Sequence, residues 1–269
     1  MDLLEENYDD YLAWLFKHSN TIVKRETSVL YYDCSNFYFE SERPDEDVID
    51  EVTGEILKGM RQYGFSKEHR PNPIVEMGLF MDSRGIPITM CLHPGNTSEQ
   101  LTAIPLERDV MKMLPGAKFI YCADAGLGSY NIRKFNSMGG RAFIVTQSIK
   151  KMSNVLKQSV FNDYDYRLLS NDKPVTIAEM KSFDRFEEKN RKQYNDFAYK
   201  VVEADKVLDL GLYEDVTLKN GRTVKRKAKG VLKQRIIITF SRKVMEYQRT
   251  VRSRQIEMAK KLLEAKDPE

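Results

Sequence analysis

The stretch AKFIYCADAGLGSY (117–130) runs from an apolar segment through one carboxylate into a glycine-rich turn. It reads as a strand ending at Asp124, a tight turn, and the start of a helix. Burying a lone carboxylate is strongly unfavourable, so Asp124 is expected in solvent, in a cap or Asx-turn, or against a cation. A dinucleotide-binding reading fails on two counts. The third glycine of that fingerprint is absent, and the motif opens with an acid that would repel a pyrophosphate.

The segments around it define the fold. Upstream, SVLYYDCSNFYFE (28–40) is rich in aromatic and β-prone residues, which predicts a strand with Asp33 in its middle. The stretch 41–71 is polar and acidic, and is expected to be irregular or a short helix. NPIVEMGLFMDSRGIPITMCLHPG (72–95) holds two apolar runs around DSRG, a hairpin pattern. Apolar residues then recur at helical spacing from Ser98 to Met113, with Ser98 and Glu99 as the start signal. Beyond Asp124, SYNIRKFNSMGG (129–140) predicts a short helix closed by glycine, and RAFIVTQ (141–147) another strand. Residues 2–19 carry helical spacing of their own.

The resulting order, β–ββ–α–β–α–β, predicts an α/β protein with a mixed sheet, in the order of the RNase H-like fold. In such a sheet the strands carrying Asp33 and Asp124 can be neighbours. Two carboxylates at one strand edge repel unless divalent cations lie between them, and hard oxygen ligands suit Mg²⁺ or Mn²⁺. The same Asp124 remains readable as a mere cap or Asx-turn. After residue 150 the pattern changes to alternating polar and apolar residues, with Asn220-Gly221 as a hairpin signal. This predicts a β-rich insertion at 151–234. RIIITFS (235–241) reads as a further strand, and 242–266 as a long, mostly basic helix.

Composition bounds the function. Acids and bases nearly balance, at a formal charge of +3, but KNGRTVKRKAKGVLKQR (219–235) has eight basic side chains and no carboxylate. Such a stripe suits a polyanion or is a solvated hairpin. Lys67 and Arg70 in YGFSKEHRPNP (63–73) are further candidates for phosphate contact. The three cysteines form no CxxC pair and sit in apolar settings typical of reduced core thiols, so neither a disulfide framework nor a zinc site is expected. The histidines are too scattered for an HxxxH pair. No apolar stretch is long enough to span a membrane and the acidic N-terminus is no signal peptide, so an intracellular protein is expected.

The blocks LYYDCSNFYFE, YGFSKEHRPNPIVEMGLFMDSRGIPITMCLHPGNTSEQLT and FIYCADAGLGSYNIRKF, in this order, resemble the catalytic domain of bacterial insertion-sequence transposases. The type is DDE, within the IS-four-like superfamily, and the likeness covers residues 1 to about 260. It implies an enzyme that cleaves and transfers strands of transposon-end DNA with Mg²⁺ or Mn²⁺, in the bacterial cytoplasm, with a homodimer or full-length transposase as protein partner. Asp33 and Asp124 then correspond to the first two catalytic, metal-holding aspartates. Lys67 and Arg70 match a basic loop, with Asn72 where an aspartate is common, and Lys225, Arg226, Lys227 and Lys229 are DNA-contact candidates. The implied organisation is a linker helix at 1–27, the first part of the core at 28–150, the insertion at 151–234, and a strand with a basic helix at 235–269. The family's third acid follows a Tyr-x2-Arg-x3-Glu-x6-Lys spacing. From Tyr247 that spacing meets Thr250 and Arg254, and Glu257 is preceded by Ser253 where arginine is needed. The chain is therefore expected to be a fragment that lacks this glutamate. A non-catalytic DNA- or transposase-binding regulator is the alternative, as is an unrelated nuclease of the same fold using Glu76 or Asp82.

Overall fold

The computed structural model describes residues 3, 6–204, 213–227 and 232–264. The chain forms two units, Met1–Lys151 with Gly211–Gly230, and Met152–Leu210 with Val231–Glu269.

The first unit opens with helix α1 (Tyr8–Ile22) and strand β1 (Val29–Tyr38), followed by a two-stranded hairpin of β2 (Val48–Ile49) and β3 (Ile56–Leu57). Then come β4 (Ile74–Met81), β5 (Pro87–Pro94), α2 (Glu99–Met113), β6 (Ile120–Ala123), α3 (Tyr130–Asn136) and β7 (Ala142–Val145). Five of the strands form one sheet in the order β5-β4-β1-β6-β7. The pairs β5–β4 and β4–β1 are antiparallel, and β1–β6 and β6–β7 are parallel. This is the mixed, helix-flanked sheet of the RNase H-like order that the pattern predicts.

Local chemistry explains the boundaries. The β4–β5 turn closes because Asp82 Oδ1 accepts from the Arg84 and Ile86 amides, at 3.0 and 2.9 Å, while Gly85 takes φ +77°. A left-handed φ is cheap only for glycine. Helix α3 begins at Ser129, whose hydroxyl accepts from the Ile132 amide, and gives way to Gly139 and Gly140, both at positive φ. The acidic stretch 41–71 differs from expectation: it contains the β2–β3 hairpin and no helix. Asp50 Oδ1 caps its turn by accepting from the Val52 and Thr53 amides, with Gly54 at φ +71°.

The core lies on one face of the sheet. Leu30, Tyr32 and Cys34 alternate inward on β1 and meet Phe80 and Ile88, with Ala103, Leu106 and Val110 of α2 and Ile132 of α3 laid over them. Tyr32, Phe80 and Tyr121 form an aromatic cluster, with Tyr32 and Phe80 centroids 4.7 Å apart. The intervening residues of β1, Tyr31, Asp33 and Ser35, turn to the other face and are exposed.

Further along the chain, the second unit contains α4 (Asn154–Phe161), β8 (Tyr166–Leu168), β9 (Pro174–Val175), α5 (Ile177–Ser182), α6 (Arg191–Asn195) and β10 (Ala198–Ala204). The hairpin of β11 (Tyr213–Thr217) and β12 (Thr223–Lys227) belongs to the first unit and turns at Gly221 (φ +79°), as Asn220-Gly221 predicts. Strand β13 (Gln234–Phe240) and helix α7 (Arg242–Glu264) return to the second unit, whose sheet runs β13-β10-β8-β9. The segment 151–234 thus contains strands and also short helices. One of them, α5, is set by a capping box between Thr176 and Glu179.

Candidate functional site

The ladder between β1 and β6 runs Val29–Ile120, Leu30–Tyr121 and Tyr31–Cys122. Two residues past its last pair, the first strand reaches Asp33 and the second segment reaches Asp124. Both are exposed. Parallel neighbours at equal depth thus deliver two acids from distant parts of the chain to one region of the sheet.

Each carboxylate uses one oxygen locally. Asp33 Oδ1 accepts from the Cys34 amide at 2.9 Å. Asp124 Oδ1 accepts from the Gly126 and Leu127 amides at 2.8 and 3.1 Å, an Asx-turn that opens the loop into α3. The turn and the metal readings of Asp124 are therefore compatible, because the turn occupies Oδ1 only. Behind this loop, buried Arg133 donates through Nε to the Gly128 carbonyl at 2.8 Å and through Nη2 to Gln147 Oε1 at 2.6 Å. Burial pulls its pKa down to about 10, so it remains a cation at neutral pH. The loop packs closely at Gly128, where a Cβ would stand 3.1 Å from Val145 and 3.3 Å from the Arg133 guanidinium.

The basic candidates divide. The Lys67 ammonium bonds the Cys34 carbonyl and pairs with Glu99 at 3.1 Å, so it is engaged within the protein. Burial alone would lower its pKa, but the bond to Glu99 and the nearby acids raise it. Arg70 lies over the Tyr38 ring at 4.3 Å and pairs with Glu68 at 3.2 Å. On the hairpin, Lys225 and Arg226 stand opposite Asp215 and Glu214, and Lys227 opposite Tyr213. The facing strand therefore tempers the basic stripe, a feature that the one-dimensional run 219–235 conceals. Lys229 lies outside the described residues.

Two acids weighed as nuclease candidates have other surroundings. Asp82 is fully buried and bonded to Arg25 Nε at 2.6 Å. Burial would raise its pKa, but the Arg25 bond and the two turn amides outweigh it and lower it. Glu76 is buried on the helix-covered face, opposite Asn36 on β1 and His93 on β5. Its carboxylate lies near Cys34 and Glu99, a grouping without sequence spacing to announce it. All three cysteines are free thiols. No helix among the described residues is long and apolar enough to cross a membrane.

Comparison with known proteins gives a partial likeness. No protein-family model matches the chain, and no curated protein matches its sequence. Among solved structures, the Mos1 transposase paired-end complex with left transposon end is similar over 51% of this chain and 40% of its own, at 14% identity and TM-score 0.29. The piggyBac transposase synaptic complex with hairpin DNA is similar over 53% of this chain and 28% of its own, at 14% identity and TM-score 0.34. The Mos1 mariner paired-end complex with Mn gives 14% identity and TM-score 0.28. The chain thus spans less than half the length of each of these proteins.

Proposed function

We propose that this chain contains the catalytic core of a DDE-type transposase, with Asp33 and Asp124 as two of its metal-holding acids and transposon-end DNA as its substrate. The reading is carried by the parallel pairing of β1 with β6, after which both segments reach an exposed aspartate. The ordered sequence blocks around both acids support it.

The donor set fits a hard divalent cation. Each carboxylate keeps its second oxygen without a protein hydrogen-bond donor among the described residues, and all-oxygen ligation suits Mg²⁺ or Mn²⁺. When bound, such a cation activates a hydroxyl nucleophile and stabilises charge on a phosphodiester undergoing in-line attack. The chain's own residues fix that region. The Asx-turn orients Asp124, the bonds of Arg133 hold the loop behind it, and Arg70 with the β12 cations meets DNA phosphates. Helix α7 offers no glutamate in the spacing that the resemblance gives the third acid. Groups that act as a unit lose far more than a proportional share of activity when one is missing.

Nicking of supercoiled plasmid in Mg²⁺ or Mn²⁺ tests the reading. Any metal-dependent nicking should fall at least about 100-fold in Asp33→Asn and in Asp124→Asn. Nicking that survives both substitutions would sink it. A second reading, a non-catalytic DNA- or transposase-binding regulator, is favoured by α7, a 23-residue helix with an excess of basic side chains and no buried residue. Its signature is a duplex-DNA gel shift unchanged by both substitutions, with no nicking in either metal.

A further inference from the structure

On the helix-covered face of the sheet, three ligand-bearing side chains from three elements converge. Cys34 of β1, Glu76 of β4 and Glu99 at the start of α2 each offer an atom, and these atoms lie within 4.8 Å of one another. Glu76 is only 3% exposed, and among the described residues its Oε1 has no hydrogen-bond partner. A buried carboxylate oxygen without a donor is costly, and here it lies beside a second carboxylate and a thiol. The Lys67 ammonium, 3.1 Å from Glu99, supplies one positive charge to two acids.

We propose that Cys34, Glu76 and Glu99 form a binding site for one thiophilic divalent cation of the zinc class, clamping the first turn of α2 to the β1–β4 pair. The ligand chemistry selects the ion. One sulfur with two carboxylate oxygens is a borderline-soft set that Mg²⁺ does not favour and Zn²⁺ or Co²⁺ does. Ligand atoms of a tetrahedral zinc shell stand roughly 3–4 Å apart, given bonds of about 2.0–2.3 Å, so only a small contraction is needed. Charge balances as well: a thiolate, two carboxylates, the Lys67 ammonium and one divalent cation leave the cluster neutral. Outer-shell partners are already in place, with Lys67 on Glu99 and the Tyr32 hydroxyl 3.3 Å from the Cys34 sulfur. On coordination the thiol releases its proton to solvent. The competing occupant is a proton shared by the two carboxyls, consistent with a Glu76 pKa pushed up to about 7 by burial and by the Glu99 charge.

None of the three residues belongs to the Asp33–Asp124 pair, and β1 alternation turns Asp33 to the opposite face from Cys34. Either site stands or falls without the other. The test is titration of the metal-stripped full chain with Co²⁺, read by thiolate-to-cobalt charge-transfer absorption in the near ultraviolet. One equivalent should produce the band, Zn²⁺ should abolish it, and Cys34→Ser should not form it. Glu76→Gln and Glu99→Gln should each weaken Co²⁺ binding by roughly tenfold or more while the variants still melt cooperatively. Asp33→Asn with Asp124→Asn should leave the band intact. Three results overturn the proposal: no band in the parent chain, a band that persists in Cys34→Ser, or affinity unchanged in both glutamine variants. A parent chain that gives no band while Glu76→Gln melts higher identifies the shared proton as the occupant.

Discussion

The acids of the first unit live in two environments, and the contrast shows how the protein spends its counter-charges. At the β4–β5 turn, Asp82 has no exposure at all, and three donors meet it: Arg25 and the amides of Arg84 and Ile86. Arg25 is in turn tied to the Ile86 and Pro87 carbonyls and to Ser19, and lies over Phe16 of α1. Past the end of the β1–β6 ladder, Asp33 and Asp124 stand exposed, with only backbone amides for donors among the described residues. A buried charge has to be neutralised by the fold, whereas an exposed one is free for a ligand to claim. The first kind therefore holds the fold together, and the second kind is available for chemistry.

The largest expected effect breaks the contrast at the buried end. Arg25→Ala leaves the Asp82 carboxylate without its cation and opens the contact with Phe16, so unfolding free energy should fall by about 3–5 kcal/mol. Urea denaturation measures this. A loss below about 1 kcal/mol would mean that the turn amides alone satisfy Asp82.

Glu107 sharpens the contrast from the other side, as a buried acid whose partners fall short. It accepts from Asn136 at 2.9 Å, while Arg141 Nε stays 3.5 Å away, and burial pushes its pKa up to about 7. The folded state thus binds the proton more tightly than the unfolded chain does. Stability from this group is fully present below the unfolded value near 4.5 and is lost as pH rises through about 7. The loss is on the order of 2–3 kcal/mol, and Glu76 adds to the slope in the same window. Glu107→Gln should flatten part of that decline and be more stable than the parent at pH 8. Parallel melts at pH 5 and pH 8 decide it, and an unchanged slope would show that Arg141 closes onto the carboxylate in solution.

How much of this could be read from the sequence follows the same division. The long alternating run of β1, the DSRG hairpin and the strand–turn–helix at 117–130 are local signals, and they yield the sheet order and the position of both exposed acids. The second unit is built from pieces such as the two-residue β9 and the five-residue α6, too short for any period to declare itself. Helix α5, six residues opened by the Thr176–Glu179 capping box, lies in a segment that the sequence reading expects to be β-rich. Partnerships among buried polar groups were not legible. Arg25 and Asp82 are 57 residues apart, and Cys34, Glu76 and Glu99 meet only once strand register and the α2 docking are fixed. The basic run at 219–235 misled in part, because Glu214 and Asp215 face it from a strand outside the run.

Asp124 has a turn to hold as well as a free oxygen, which makes it the intermediate case. Asp124→Ala removes the acceptor of two amide bonds and should cost about 1 kcal/mol, whereas Asp124→Asn keeps an Oδ1 acceptor and should be nearly neutral. Equal destabilisation by both would show that the carboxylate charge, and not the turn, is what the fold needs at this position.

The smallest effect is expected at Asp33, and its smallness is informative. The side chain is exposed and contributes one bond to its neighbour's amide, so Asp33→Asn should change stability by no more than about 0.5 kcal/mol in metal-free buffer. Adding Mg²⁺ or Mn²⁺ changes the comparison. A cation held by the folded state alone raises the melting temperature of the parent chain by mass action, and the Asn variant should lose that rise while keeping its metal-free melt. The pairing of no structural cost with lost metal response separates a ligand from a structural acid. If Mg²⁺ and Mn²⁺ fail to shift the parent, or shift Asp33→Asn equally, then Asp33 is only a solvated charge on an open strand.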